Sequence, residues 1–493
     1  MGLEIDREEF GDDAYRRFDA RLARSLEVLE ALLSQEGFGV GPSTLGAELE
    51  VSLVDGAGRP LPENRKVLAE SVDPRLTVEL DRFNLESNLQ YCGLAGRPFA
   101  TLAAEMQGCL AEMTRAARLH GAEVAMIGIL PTLTEDDLQA DAMTDAMRYR
   151  ALSASLRRLR QEPFQLDING EDALAIRCHD VTYEGAATSL QIHLRVDPAR
   201  FASIYNAIQL ATPAVLAVSG NSPTFLGRRL WDETRVALFK QAVDLRPRNT
   251  KANAPARVSF GSGWIQRPFD LFAESVHDHP VLLPVLDRED PDIARSDGSP
   301  PRLRELRLHQ GSIWRWNRVI YDPAAGGHLR VEMRVLPAGP TVEDMVANTA
   351  FHLGLALDLA DEMQGDTPEA DFDAVHEDFY RAARDGLDAT IVPASVGGTG
   401  QRQVARASAE ALLVRAQAGL DRAGIERADS APRLATIEQR IRSGLTGARW
   451  QRRALAAAER TRPRNEALHT MFDRYRALSD EGLPVGEWPD LDA

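Results

Sequence analysis

Glu48 and Glu50 stand two apart in the stretch STLGAELEVSLVD, which alternates apolar and polar residues like a β-strand. In a strand, side chains two apart share a face, so the carboxylates lie about 7 Å from each other. At an effective dielectric near 20, that spacing costs about 2 kcal/mol of repulsion. Either water screens the pair, or a cation belongs between them.

The same alternation recurs three times. In RFNLESNLQ, Phe83, Leu85 and Leu89 oppose Asn84, Glu86 and Asn88. In SLQIHLRV, Leu190, Ile192, Leu194 and Val196 oppose Gln191, His193 and Arg195. In LRVEMRVL, Val331, Met333 and Val335 oppose Glu332 and Arg334. Each is a strand with one buried face. Two readings fit the other face: the solvated side of an antiparallel sheet, or a site for a metal–nucleotide. The second draws on residue type. These segments carry Glu, Asn, Gln, His and Arg but no Lys; carboxylates take Mg²⁺, and guanidinium forks take phosphate.

The elements that must position these residues follow from periodicity. Helical spacing predicts helices over 13–36, 99–120, 135–160, 199–217, 228–243 and 341–363. Strands are expected at 46–54, 76–91, 164–168, 174–178, 187–196, 303–309, 312–321 and 328–336, with a short one in AEVAMIGILP. Residues 246–301, rich in Pro, Gly and Asp, read as irregular. Beyond about residue 365, Ala, Arg, Glu and Leu dominate, and three or four amphipathic helices are expected. The fold class is α+β: an antiparallel sheet with helices on its outer face, and a helical C-terminal region. No phosphate-binding GxxxxGK[ST] or dinucleotide GxGxxG motif is present.

Bulk composition narrows the field. The chain has 493 residues and a formal net charge of −17, which disfavours a nucleic-acid or membrane-surface partner. Its three cysteines, Cys92, Cys109 and Cys178, form no CxxC pair, so neither a zinc site nor a disulfide framework is indicated. The acidic start MGLEIDREEF has no apolar signal core. A soluble, cytoplasmic protein is the expectation.

Taken together, the motifs resemble the glutamate–cysteine ligase family, in its carboxylate–amine ligase branch. GAELEVSLVD resembles the family's GxExE opening strand, RFNLESN its second acidic strand and TSLQIHLRVD its His-bearing strand. SGNSPTFLG resembles its ANSP loop. IWRWNRVIYD, followed by HLRVEMRVLPAGPTVEDM, resembles its closing strands. The matches keep their order over about residues 44–360. Two positions depart: Leu49 stands where many members carry Glu, and Gln191 where many carry a second His.

The resemblance implies a glutamine-synthetase-like core over residues 1–365, with a curved sheet; the helical extension over 366–493 carries no motif of the family and is read as a buttress or a homodimer surface. It implies an ATP-dependent ligase. Glutamate's side-chain carboxylate is activated as an acyl phosphate, and an amine such as that of cysteine attacks it. Mg²⁺ is the expected metal, with Mn²⁺ as an alternative, held by Glu48, Glu50, Glu86 and Glu332. Glu50, Arg318 and Arg334 are the expected catalytic residues. His193, Gln191, Arg318, Arg334, Asn221 and Ser222 are expected around nucleotide or substrate, with Asn84 and Asn88 beside Glu86. Two alternatives stay open: a phosphotransferase of the same fold acting on a guanidino group, and a silent nucleotide-binding protein.

Overall fold

β1 (Thr44–Val54) is the hub of an eight-stranded sheet whose pairings are all antiparallel. The other strands are β2 (Leu76–Val78), β3 (Asn84–Asn88), β4 (Cys92–Gly93), β5 (Glu123–Ala125), β6 (Ser189–Val196), β7 (Asn317–Asp322) and β8 (His328–Pro337). Their order is β7–β8–β6–β1–β3–β2, with β4 and β5 paired to the two ends of β1. Among the described residues the sheet does not close into a barrel. The structure is a computed structural model, and it describes residues 5–160, 162–246, 255–291, 299–363, 367–398 and 400–490.

The period-two pattern divides the two faces as the sequence requires. Ala47, Leu49, Val51, Leu53, Ile192, Leu194 and Met333 are all buried. They belong to one core with helices α1 (Pro98–Arg118), α3 (Phe201–Ser219) and α5 (Val342–Met363), which pack behind the sheet and on one another. Each such side chain contributes about 1.5–3 kcal/mol by leaving water. The stretch Pro198–Ser219 is long and apolar enough to span a membrane, yet 94% of its apolar 18-residue window is buried inside the protein, so it serves as a core helix. On the opposite face of the sheet stand α2 (Met147–Arg160) and α4 (Arg304–Gly311), which lend Arg148, Tyr149, Arg304 and Arg307 to a central cavity.

Several expectations change. The strand expected over 76–91 is a hairpin of β2 and β3, because Asn84 N–H donates to Asp81 O at 2.9 Å and turns the chain. The strand expected at 303–309 is helix α4: Glu305, Leu306, His309 and Gln310 are its buried positions, a helical spacing that the leucine-rich alternation of LRELRLHQ conceals. Residues 135–160 form two short 3₁₀ turns, Glu135–Leu138 and Ala140–Ala142, and are α-helical only from Met147, while 228–243 is α-helical only over Thr234–Ala242. The segment expected to be irregular holds a helix at Pro268–Asp278. The boundary expected at 365 falls outside the described residues.

Past that boundary the described residues form five helices, over Phe372–Asp385, Ala405–Arg422, Arg427–Ser443, Gly447–Ala458 and Arg464–Glu481. They are bound to the sheet-bearing part by buried polar contacts. Asp429 caps α1 from a distance: Phe99 N–H and Ala100 N–H donate to its carboxylate at 2.8 and 2.9 Å. Arg440 donates to Asp344 at 2.8 Å and to Asn348 at 2.6 Å, both on α5.

Candidate active site

Antiparallel register sets the polar face in rows. Arg318, Glu332, His193 and Gly46 lie side by side across β7, β8, β6 and β1. Gln191, Glu48 and Asn88 form the next row, across β6, β1 and β3. Glu50, Glu86 and Thr77 form a third, across β1, β3 and β2. Residues from four distant parts of the chain thus converge, as the strand patterns predicted. Between Met333 and Leu336 the register of β8 slips by one residue, the mark of a β-bulge beside Arg334.

The first row is tightly bonded. Arg318 donates from Nε to Glu332 Oε2 at 2.7 Å and from Nη2 to Glu332 Oε1 at 3.0 Å. Arg334 Nη1 donates to the same Glu332 at 3.1 Å and also to Gln191 Oε1. Burial alone would raise the Glu332 carboxyl, but Arg318, Arg334 and His193 outweigh it and hold the group below its usual range. Glu48 behaves likewise: burial raises it, and His193 more than offsets that. Glu332 is therefore an anion sunk in the sheet, and Arg318 is the group that positions it.

His193 Nε2 lies 3.3 Å from Glu48 and 3.7 Å from Glu332. It is buried and makes no well-directed hydrogen bond. The ligand atoms of these three residues all lie within 4.8 Å of one another. Two carboxylates and an imidazole nitrogen aimed at one point fit a divalent ion such as Mg²⁺ or Mn²⁺.

A second acidic group sits beside the first. Glu50 accepts from Gln191 Nε2 at 2.7 Å, from Ser189 N–H at 2.7 Å and from Ser189 Oγ at 3.0 Å. Burial, then the charge of Glu79, push it up to about 7, against the pull of Arg334 and Arg235. Glu86 is raised well above its ordinary range by burial, then by Glu48 and Glu79, with which it also shares a hydrogen bond. Asn88 Nδ2 donates to Glu86 at 2.7 Å. Asn84 is buried with neither side-chain atom hydrogen-bonded.

Glu48, Arg318 and Arg334 of the first group, and Glu50, Glu79 and Glu86 of the second, border a cavity of about 520 Å³; Glu332 and His193 are not among its lining residues. Its carboxylates are Glu48, Glu50, Glu79, Glu86 and Glu184, and its guanidiniums are Arg148, Arg304, Arg307, Arg318 and Arg334. Glu79, Glu184 and Arg148 escaped the sequence reading. Glu79 carried a signal, since it follows β2, whose Thr77 pairs with Glu86. Glu184 and Arg148 lie on helices with no alternation to mark them. Asn221 and Ser222 do not line the cavity. They are fully buried behind it: Asn221 N–H and Ser222 Oγ donate to Glu233 at 2.8 and 2.9 Å, and Asn221 Nδ2 donates to Ala338 O and Tyr475 Oη, each at 2.8 Å. The structure thus corrects their expected place at the ligand. They fix the loop against the C-terminal helices.

An antiparallel sheet backed by helices, with clustered carboxylates and arginines on its free face, defines the architecture of the glutamine-synthetase-like carboxylate–amine ligases. The sequence matches the family model "Glutamate-cysteine ligase family 2 (GCS2)" over residues 44–471. The chain belongs to that family, and it is an ATP-dependent, glutamate–cysteine ligase-like enzyme that forms an amide bond. A solved glutamate–cysteine ligase from Francisella tularensis, in complex with AMP, is similar in fold: TM-score 0.53, 11% identity, covering 92% of this chain and 90% of that one. A bifunctional glutathione synthetase from Pasteurella multocida aligns at TM-score 0.48 and 11% identity, over 95% of this chain and 55% of that one. No curated protein sequence matches the chain.

Proposed function

We propose that the site joins the side-chain carboxylate of glutamate to an amine, with cysteine the leading candidate acceptor, at the cost of ATP and with Mg²⁺ bound. One observation carries this reading. Glu48, His193 and Glu332 converge to within 4.8 Å, with the Arg334 guanidinium on the same Glu332. A carboxylate is a poor electrophile, and phosphoryl transfer brings two anions together. Positioning and charge stabilisation therefore do most of the catalysis.

The chain's own residues divide the work. Glu48, His193 and Glu332 would hold one divalent ion, and Glu50 with Glu86 and Glu79 a further one. Bound there, such ions would neutralise phosphate charge. Arg318 locks Glu332 in place. Arg334, held at Nη1 by Glu332 and Gln191, also borders the cavity, where its guanidinium would stabilise the transferring phosphoryl group. Gln191 bridges Glu50 and Arg334 and so fixes both. Residues 1–365 form the ligase core in this reading, and the helices of 366–493 brace it through Asp429 and Arg440.

The test is an ADP-release screen of glutamate against a panel of amines and amino acids, cysteine included, with Mg²⁺ present or chelated. ADP and free phosphate should appear only when acid, amine and metal are all present. A phosphorylated product without free phosphate would replace the ligase with a kinase, and no turnover with any amine would leave a nucleotide-binding protein.

A further inference from the structure

Of the five carboxylates that line the cavity, four are already engaged. Glu48 faces His193 at 3.3 Å. Glu50 accepts from Gln191 and Ser189, and Glu86 from Asn88. Glu79 accepts from Leu80 N–H at 2.9 Å. Glu184 differs. Among the described residues its carboxylate makes no hydrogen bond and no ion pair, although it lines the same cavity. It sits on the single helical turn Thr182–Gly185 that leads into β6, the strand of Gln191 and His193. That turn packs tightly on the β2–β3 connection: a Cβ on Gly185 would stand 2.5 Å from the Asp81 carboxylate.

The charged groups around Glu184 locate it. Glu79 acts on it from the end of β2, Glu50 from β1 and Arg334 from β8. These are residues that the ligase reading gathers about the transferring phosphoryl group. Asp81 lies behind, and burial raises its carboxyl well above the ordinary range, so it carries little charge. On the helix Thr234–Ala242, which packs against the turn, Arg235 is bound to Glu233 at 3.0 Å and to Val335 O at 3.1 Å. Arg148, on the cavity wall, donates to Val78 O at 2.8 Å and to Tyr149 Oη. The neighbouring cations thus have other partners, and the Glu184 oxygens are left to the cavity.

We propose that Glu184 is the base that receives the acceptor's ammonium group and takes its proton. This rests on the ligase reading. An amine arrives as an ammonium ion, whose nitrogen has no lone pair to attack with. The ammonium donates to the unengaged carboxylate and passes it one proton, which leaves a neutral amine and a carboxylic acid. The amine lone pair then forms the C–N bond to the acyl carbon. The C–O bond to phosphate breaks with its electron pair, a second amine proton leaves with it as hydrogen phosphate, and Glu184 returns its own proton to solvent. The environment suits the task. Burial first, then Glu79 and Glu50, push the Glu184 carboxyl up to about 8, against the pull of Arg334. A carboxylate so tuned exchanges protons with an ammonium group at little cost.

The experiment compares two kinds of acceptor, with glutamate and Mg-ATP, in the full chain as wild type, Glu184→Gln and Glu184→Asp. Amino acids and alkyl amines enter as ammonium ions near neutral pH; the fastest of them, with cysteine expected, is one acceptor. Hydroxylamine, mostly neutral there and in need of no base, is the other. Glu184→Gln should lower kcat with the ammonium acceptor by about a hundredfold to ten-thousandfold, the range for losing a general base, while hydroxamate formation stays near wild type. Glu184→Asp keeps a carboxylate and should recover part of the loss. Equal losses with both acceptors mean a structural role and overturn the assignment. So does a Glu184→Gln that turns over the ammonium acceptor at the wild-type rate. A wild type that forms the hydroxamate but accepts no ammonium-bearing amine overturns it too, since such a site removes no proton. Wild type that releases ADP with neither kind of acceptor sinks the ligase reading itself, and the two failures are thereby distinct.

Discussion

Glu332 is gripped at both carboxylate oxygens by Arg318, at 2.7 Å and 3.0 Å, directly across the β7–β8 ladder. The planar fork fixes the orientation of Glu332 as well as its charge. Lysine keeps the charge and loses the fork. Arg318→Lys should therefore lower Mn²⁺ affinity and kcat by about tenfold to a hundredfold, the usual cost of disturbing a partner of a metal ligand. Calorimetric Mn²⁺ titration and ADP release would measure this. Wild-type values for both would show that Glu332 needs no such anchor.

Glu50 links the site to pH. Folding raises it from 4.5 to about 7, by burial first and then by Glu79. Because the folded carboxyl keeps its proton where the unfolded chain has lost it, the metal-free protein loses stability as pH rises from 4.5 through about 7. A divalent ion takes only the carboxylate form, so binding releases the proton and is favoured at higher pH. The rise in melting temperature on adding Mg²⁺ should be clearly larger at pH 8 than at pH 6. An equal rise at both would separate Glu50 from metal binding.

Glu50→Gln keeps the volume and removes the charge. The fold should be retained and the metal-free melting temperature near pH 8 should rise, because the substitution removes the buried charge that destabilises the protein there, while ATP turnover falls by at least about a hundredfold, the scale of losing one charge-stabilising group. Circular dichroism and ADP release decide it, and near-normal turnover would rule out Glu50 as a metal ligand.

The sheet and its polar face were legible because period-two strands declare both faces at once: the leucines and valines opposite Glu48, Glu50 and His193 all lie in the core. The rest of the site was not, for a physical reason. Arg148 and Arg307 reach the cavity from helices, and Glu184 from a single helical turn, where a polar residue facing a cavity looks like one facing solvent. Helix α4 was misread because LRELRLHQ satisfies a strand's alternation almost as well as a helix's spacing. Asn221 and Ser222 carried the right motif, but their hydrogen bonds serve the loop and the C-terminal helices.

Two glycines make opposite predictions for the same substitution. Gly354 on α5 and Gly419 on Ala405–Arg422 let those helices touch backbone to backbone: a Cβ on Gly419 would stand 2.1 Å from Gly354 O, and one on Gly354 2.5 Å from Ala416 O. Neither neighbour is a flexible side-chain end, so the helices must part. Gly419→Ala should cost about 1–3 kcal/mol, the range for overpacking a core. Gly108, exposed on α1, meets nothing closer than 4.0 Å. Gly108→Ala there should gain about 1 kcal/mol from helix propensity alone. Urea denaturation of the two variants gives the signs, and a stabilised Gly419→Ala would mean that the two helices do not meet in solution as they do here.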